Sequence, residues 1–391
     1  MIILSLFIIL LLGNFFGKIA SSIKIPSLVG MIVCGVIIGS YGLNILDPSF
    51  YDISYLIRMF SLTIILIRAG LSINISDFKT MGTKAILMSF LPTLFEMLGC
   101  IIFSTYVLHF DTLQALLLAT ILASSSPAVT IPRMIRLIDE GYGGKKAIPQ
   151  MILASDAIDD VINLVLFSSF LNLNVGEAVS LNIIASVPST IILSIALGLL
   201  VGFIIHKASY KLNTIGTFLM LLIIGGGFAL AEEAINLYIP ISSLIITIMM
   251  TIPLTDSTTL NLDSLKLSFN KLWSFFQIFL FVWVGTQLNL STTLSYVFPS
   301  LCLFLALIFS RTLGVFATLS KSNLNFKERT FVAFCGIPKA TVQASIGLIP
   351  ASLGVINGDV IASISTLSIL FTAPLGAVLL DTFSHKLLNK E

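Results

Sequence analysis

Charge is scarce in this chain. Only 10% of its 391 residues are Asp, Glu, Lys or Arg, against 57% hydrophobic, and the mean hydropathy is +1.05. Soluble domains carry about 25% charged residues, so a soluble fold is excluded. Cysteine is sparse as well. Cys34, Cys100, Cys302 and Cys335 sit in apolar runs without CxxC spacing and read as small buried hydrophobes, not as a disulfide or metal framework. The histidines His109, His206 and His385 stand at the ends of apolar runs, and no HExxH occurs, which argues against a transition-metal site. There is no basic arm or aromatic platform for nucleic acid. Long polar loops are missing too, so no soluble domain is expected. The longest connection, 255–270, carries mixed charge and reads as a cytoplasmic link or surface helix.

What the chain does have is apolar length. Thirteen stretches are long enough to span a bilayer: 1–17, 25–43, 53–73, 84–108, 113–137, 147–171, 182–206, 214–231, 237–254, 271–290, 295–319, 329–350 and 360–381. The expectation is an all-α polytopic membrane protein with about thirteen transmembrane helices. Residues 1–17 read as a mature first helix, because Lys18 follows them and no positive region precedes them.

The basic residues test this count. With the N-terminus outside, the inner loops and the C-terminal tail hold 17 of the 21 Lys and Arg residues. The remaining four, Arg58, Arg68, Arg311 and Lys339, lie within spans. The outer loops hold only acids: Asp47, Asp52, Asp111, Glu177, Glu232, Glu233 and Asp359. Basic residues collect on the cytoplasmic side, so the N-terminus is expected outside and the C-terminus inside.

Two spans are broken by proline among small polar residues. The fifth contains Ser124-Ser125-Ser126-Pro127, with Thr130 and Pro132 following. The twelfth contains Gly336-Ile337-Pro338-Lys339-Ala340-Thr341. Proline removes a backbone donor and clashes with the preceding turn. Seven spans separate the two breaks, an odd offset, which implies opposite orientations. Paired interrupted helices in inverted halves point to a transporter's substrate site. Spans 1–6 then match spans 8–13, with span 7 linking them. The same offset pairs the fourth span with the eleventh, whose intramembrane charges are Glu96 and Arg311. Opposite signs in matched helices predict a buried ion pair.

The sixth span carries Asp159 and Asp160 halfway along its length. A carboxylate at membrane depth is expensive and marks an ion or proton pathway. Neighbouring helix positions point about 100° apart, so the two face different partners. Asp156 lies one turn before Asp160 and nearer the cytoplasmic mouth, either as part of the site or as a solvated residue. Carboxylate oxygens suit hard cations such as Na⁺ and Li⁺, and the same atoms can hold protons instead. Lys339, just after the second break, either holds a carboxylate, compensates a half-helix dipole or snorkels to the surface. Arg68 reads as a snorkelling residue.

These residues resemble the monovalent cation/proton antiporter superfamily, in particular its NHA branch of sodium/proton antiporters. The resemblance rests on Ile67-Arg68-Ala69-Gly70-Leu71 with Leu91-Pro92 and Glu96, and on Ser126-Pro127-Ala128 through Gly141-Tyr142-Gly143 and Pro149 to Asp159-Asp160. It continues in Val284-Gly285, Arg311, Lys327-Glu328-Arg329, Pro338 through Ala344 and Thr372-Ala373-Pro374-Leu375-Gly376. It implies a bacterial member with two inverted repeats and crossed discontinuous helices. It also implies a homodimer embedded in plasma-membrane lipid, exchanging Na⁺ or Li⁺ for H⁺ by an elevator mechanism without a cofactor. Residues 84–171 and 295–382 would form the moving core, 1–73 and 214–290 the dimer scaffold, and 182–206 the linker. Asp160 matches the principal cation ligand and Asp159 its partner, with Ser124, Ser125, Ser126 and Thr130 completing the Na⁺ site. Glu96 and Arg311 match a core ion pair, and Asp156 and Lys339 are auxiliary. Asp156 stands where the branch usually has a small neutral residue. Arg311 stands where electrogenic relatives often have lysine, and an arginine cannot release a proton, which leaves the proton number open.

Four other readings remain at this point: K⁺/H⁺ exchange, a sodium-coupled organic-anion symporter, a channel and an intramembrane aspartyl protease. The protease needs acids converging from two helices, which neighbours on one helix do not supply.

Overall fold

The computed structural model describes residues 2–72, 83–174, 181–236, 241–255 and 260–390. Glu177, assigned above to an outer loop, lies outside them, as do Lys79, one of the 17 basic residues of the inner side, and the start of the ninth expected span. Among the described residues the secondary structure is helical, with no strand beyond an isolated bridge between Tyr142 and Lys390. Eight helical stretches among them are long and apolar enough to cross a membrane.

The described helices stand in chain order against the thirteen expected stretches. The first four are α1 (Ile2–Ser22), α2 (Ser27–Ile38), α3 (Ser49–Ser72) and α4 (Thr83–Tyr106). The fifth is divided into α5 (Thr112–Leu122) and α6 (Pro127–Asp139). Next come α7 (Ile148–Asn174), α8 (Leu181–Ser209), α9 (Thr214–Asn236), the short α10 (Ser243–Met249) and α11 (Leu262–Thr286). A short α12 (Leu290–Ser295) precedes α13 (Val297–Thr318). The twelfth span is divided into α14 (Phe326–Cys335), α15 (Thr341–Ile346) and α16 (Ile349–Ser352), and α17 (Gly358–Leu387) closes the chain.

Of the stretch 255–270, read as a link or a surface helix, the part from Leu262 onward is helical, because α11 begins there. Leu265, Phe269 and Trp273 repeat every four residues and are buried, the pattern of one helix face. Asp263, Lys266 and Lys271 occupy other faces and hide that stripe in the sequence.

Both interruptions follow from local chemistry. The residue before a proline is driven out of the helical region. Ser126, before Pro127, is extended at φ −105° and ψ 105°, and Pro127 takes the first position of α6, where its missing N–H costs nothing. In the second break, residues 337–340 around Pro338 are non-helical. α14 starts on an Asn325–Glu328 capping box, which satisfies two orphan donors at once.

The described residues fall into two compact units. One takes those within 1–50, 80–177 and 281–391; the other takes those within 51–79 and 178–280. In the second unit, Gly198 and Gly202 of α8 pack on Met249, Met250 and Pro253, and Ser242 N donates to Ser194 Oγ at 2.8 Å. The first unit holds both broken helices. Its α4 and α13 pack backbone to backbone: a Cβ on Gly314 would lie 2.7 Å from Pro92 Cα, and one on Gly99 2.8 Å from Ser310 Cβ. Pro92, Glu96 and Gly99 share one face of α4, and Ser310, Arg311 and Gly314 share the facing side of α13. Close packing of small residues therefore sets Glu96 against Arg311. A hydrophobic cluster including Met134, Met151, Val315 and Phe331 packs the same unit further along.

Candidate ion site at the crossing of the broken helices

The two breaks meet. Ser126 N donates to Pro338 O at 2.9 Å. Beside this crossing lie Glu96, Asp156, Asp159, Asp160, Arg311 and Lys339, all buried.

Proline chemistry explains the position of the arginine. In an unbroken helix Ala123 O would accept from the N–H of residue 127, but Pro127 has none. Arg311 Nη1 supplies the donor at 2.6 Å. The same nitrogen reaches Glu96 Oε2 at 2.6 Å, and Nη2 reaches Asp159 Oδ2 at 2.9 Å. The side chain passes close over Gly336, where a Cβ would lie 2.6 Å from Arg311 Cδ. Lys339 Nζ stands 2.7 Å from Glu96 Oε1. The expected Glu96–Arg311 contact is thus present, extended by Lys339 at one end and Asp159 at the other. Lys339 is buried on a carboxylate and does not reach a surface.

The three aspartates of α7 differ in surroundings. Asp159 is ringed by donors. Thr93 Oγ1 and Asn163 Nδ2 reach its Oδ1 at 2.5 and 2.8 Å, and Ser125 N reaches its Oδ2 at 3.2 Å, beside Arg311. Asp156 accepts from Thr130 Oγ1 at 2.7 Å and Ser125 Oγ at 2.9 Å. Ser125 Oγ also lies 3.0 Å from Asp159 Oδ2, and its single hydrogen serves one of the two at a time. Asp160 accepts from the Ser124 hydroxyl. Among the described residues no ion pair forms with Asp156 or Asp160. Four carboxylates therefore face two cationic side chains in the cluster, an excess that protons or a bound cation would offset.

The expected ligand residues separate accordingly. Ser124 meets Asp160, Ser125 lies between Asp156 and Asp159, and Thr130 meets Asp156. Ser126 joins through its backbone, and its hydroxyl has no partner among the described residues. Asp156 is not a solvated residue of a mouth but a buried member of the cluster. Arg68 is half-buried. Sequence reasoning missed Thr93, Asn163 and Gln343. Thr93 is three residues before Glu96 and Asn163 four after Asp159, so helical spacing from the known acids would have found both. Gln343 Nε2 donates across the crossing to Ile121 O and Ser124 O at 2.8 and 3.0 Å.

Ion pairs tie other parts of this unit. Arg133 holds Asp381 through Nε and Nη2 at 3.0 and 2.7 Å, and Lys146 Nζ holds the buried Glu328 at 2.8 Å. His385 Nε2 lies 2.7 Å from Glu140 Oε2. They link the ends of α6 and α17 and the start of α7 to α14. A separate cavity of about 190 Å³ is lined by Trp283, Gln287, Asp359, Ser363 and Thr366, among others.

Comparison with known proteins fits this geometry. The "Sodium/hydrogen exchanger 9B2" of Xenopus tropicalis is 28% identical over 96% of this chain and 72% of its own length. The "Sodium/hydrogen exchanger 9B1" of Mus musculus is also 28% identical, over 96% of this chain and 69% of its own length. The solved structure of the sodium proton antiporter MjNhaP1 from Methanocaldococcus jannaschii superposes with a TM-score of 0.80 at 22% identity, covering 98% of this chain and 96% of that one, and shows the shared fold. Residues 3–383 match the family described as "Sodium/hydrogen exchanger, transmembrane". The chain therefore belongs to the sodium/hydrogen exchangers: a multi-pass membrane protein that performs cation/proton antiport, a transporter and not an enzyme.

Proposed function

We propose that the exchanged cation is Na⁺ or Li⁺ and that it competes with protons for Asp160. The observation that carries this reading is the contrast between neighbours. Asp159 is held by Thr93, Asn163, Ser125 and Arg311, whereas Asp160, also buried, accepts from Ser124 without an ion-pair partner among the described residues. A carboxylate with free lone pairs and no counter-charge takes up whichever positive species is offered. Protonated, Asp160 is neutral. Ionised, it attracts a hard cation, and the Ser124 hydroxyl can turn a lone pair toward it. Asp159 stays bound to Arg311 and anchors the site.

In this reading the transport cycle is an elevator. α4–α7 and α13–α17 form the core that carries the crossing, α1–α3 and α9–α11 form the scaffold of a homodimer, and α8 links the halves. The protein works in the plasma membrane with its N-terminus outside and its C-terminus inside. An organic-anion symporter fits less well, since its anion would need a free cationic group and Lys339 is engaged by Glu96.

The test is pH-gradient dequenching in proteoliposomes given Na⁺, Li⁺ or K⁺, with and without a voltage clamp. Na⁺ and Li⁺ should dissipate the gradient and K⁺ should not. A response to K⁺ alone would replace the cation assignment. The clamp reads whether the exchange moves net charge.

A further inference from the structure

Gln343 lies in α15, beyond the second break, and is buried. In an unbroken helix Ile121 O would accept from Ser125 N. That N–H is turned instead to Asp159 Oδ2 at 3.2 Å. Gln343 Nε2 takes its place at 2.8 Å and also donates to Ser124 O at 3.0 Å. An amide nitrogen has two hydrogens, so both bonds form together. The reverse orientation would set the amide oxygen against two carbonyl oxygens, so the network fixes which end is nitrogen. Oε1 has no partner among the described residues. The side chain is thus held by its nitrogen, and that nitrogen serves the other broken helix. Ser124, which it holds by the backbone, is also the residue whose hydroxyl meets Asp160.

We propose that Gln343 is a positioning residue for the exchange site. Its amide replaces donors that the first break diverts, fixes the segment from Ile121 to Ser124, and so sets the distance between the Ser124 oxygens and Asp160. This rests on the reading of Asp160 as the exchanging carboxylate. Na⁺ and Li⁺ carry the same charge and differ in size, so the spacing of their oxygen ligands decides between them. A segment released from its amide clamp relaxes, holds the cation less well and discriminates less between the two.

Gln343→Met keeps the length of the side chain and removes both donors. In proteoliposomes it should raise the KM for Na⁺ about ten-fold, the scale of a lost hydrogen bond, and bring the Na⁺ and Li⁺ KM values closer together, with a smaller effect on maximal rate. Unchanged KM values and ratio, or a fall in maximal rate alone, would leave Gln343 a packing residue and overturn the proposal. If the methionine variant does not fold, Gln343→Asn carries the same test, because its amide is one methylene too short to reach both carbonyls. Asp160→Asn is measured in parallel. Normal exchange in that variant removes the basis of both readings. Silence in Asp160→Asn with wild-type behaviour in Gln343→Met removes the positioning role alone.

Discussion

Arg311 and Glu96 meet inside the protein, with Nη1 2.6 Å from Oε2. They belong to α13 and α4, which the small residues Gly99 and Gly314 bring together. Neither partner is used up by the contact. Arg311 continues to Asp159 and to Ala123 O, and Glu96 continues to Lys339. One buried chain of charge thus joins the unwound part of the first broken helix to the first residue after Pro338 in the second.

Removing either partner strands the other. Breaking a buried ion pair costs roughly 3–5 kcal/mol. Glu96→Gln and Arg311→Gln should each lower thermal stability in detergent, and Arg311→Gln more, because it also uncaps Ala123 O. The double variant should recover part of the loss. Strictly additive losses would mean that the pair is not energetically coupled.

Gly336→Ala tests the route of the arginine. The new Cβ would sit 2.6 Å from Arg311 Cδ and 3.2 Å from Cζ, so the guanidinium must move away from Ala123 O or Asp159. Overpacking of this kind costs about 1–3 kcal/mol. Thermal stability and exchange should both fall. Full activity at unchanged melting temperature would show that the arginine stem gives way freely.

Much of this site was legible because its residues break rules that membrane helices otherwise keep. Pro127 and Pro338 announce the interruptions, and acids in an apolar span announce the aspartates. The odd offset between spans also leads from Glu96 to Arg311. Thr93 and Asn163 were not singled out, since isolated hydroxyls and amides in apolar helices commonly bond the preceding turn. Gln343 was visible within its motif, but its role depends on reaching Ile121 O and Ser124 O, 222 and 219 residues away along the chain. The onset of α11 was obscured by Asp263, Lys266 and Lys271, whose charges mask the buried stripe beneath them.

Asp156 adds a like charge one turn from Asp160, with no ion pair among the described residues. Asp156→Asn should weaken proton binding at Asp160, so the acid limb of the activity profile should move to lower pH while maximal exchange survives. Rates of sodium-driven dequenching across a pH series provide the readout. Loss at every pH would make Asp156 an indispensable ligand, and an unmoved profile would show that its charge is not felt at Asp160.

Competition between protons and cation gives a further expectation for the unmodified protein. The KM for Na⁺ should rise as pH falls, because protons occupy the carboxylate that the cation needs. A KM that stays constant from acidic to alkaline pH would separate the two sites.

The central claim is that one carboxylate carries both species. Asp160→Asn keeps the shape of the side chain but neither titrates nor neutralises a cation. Sodium-driven proton movement in proteoliposomes, compared between the wild type and this variant across pH, tests the claim most directly. The wild type should dissipate the gradient and the variant should be silent at every pH. Proton movement at wild-type rates in Asp160→Asn would contradict the account.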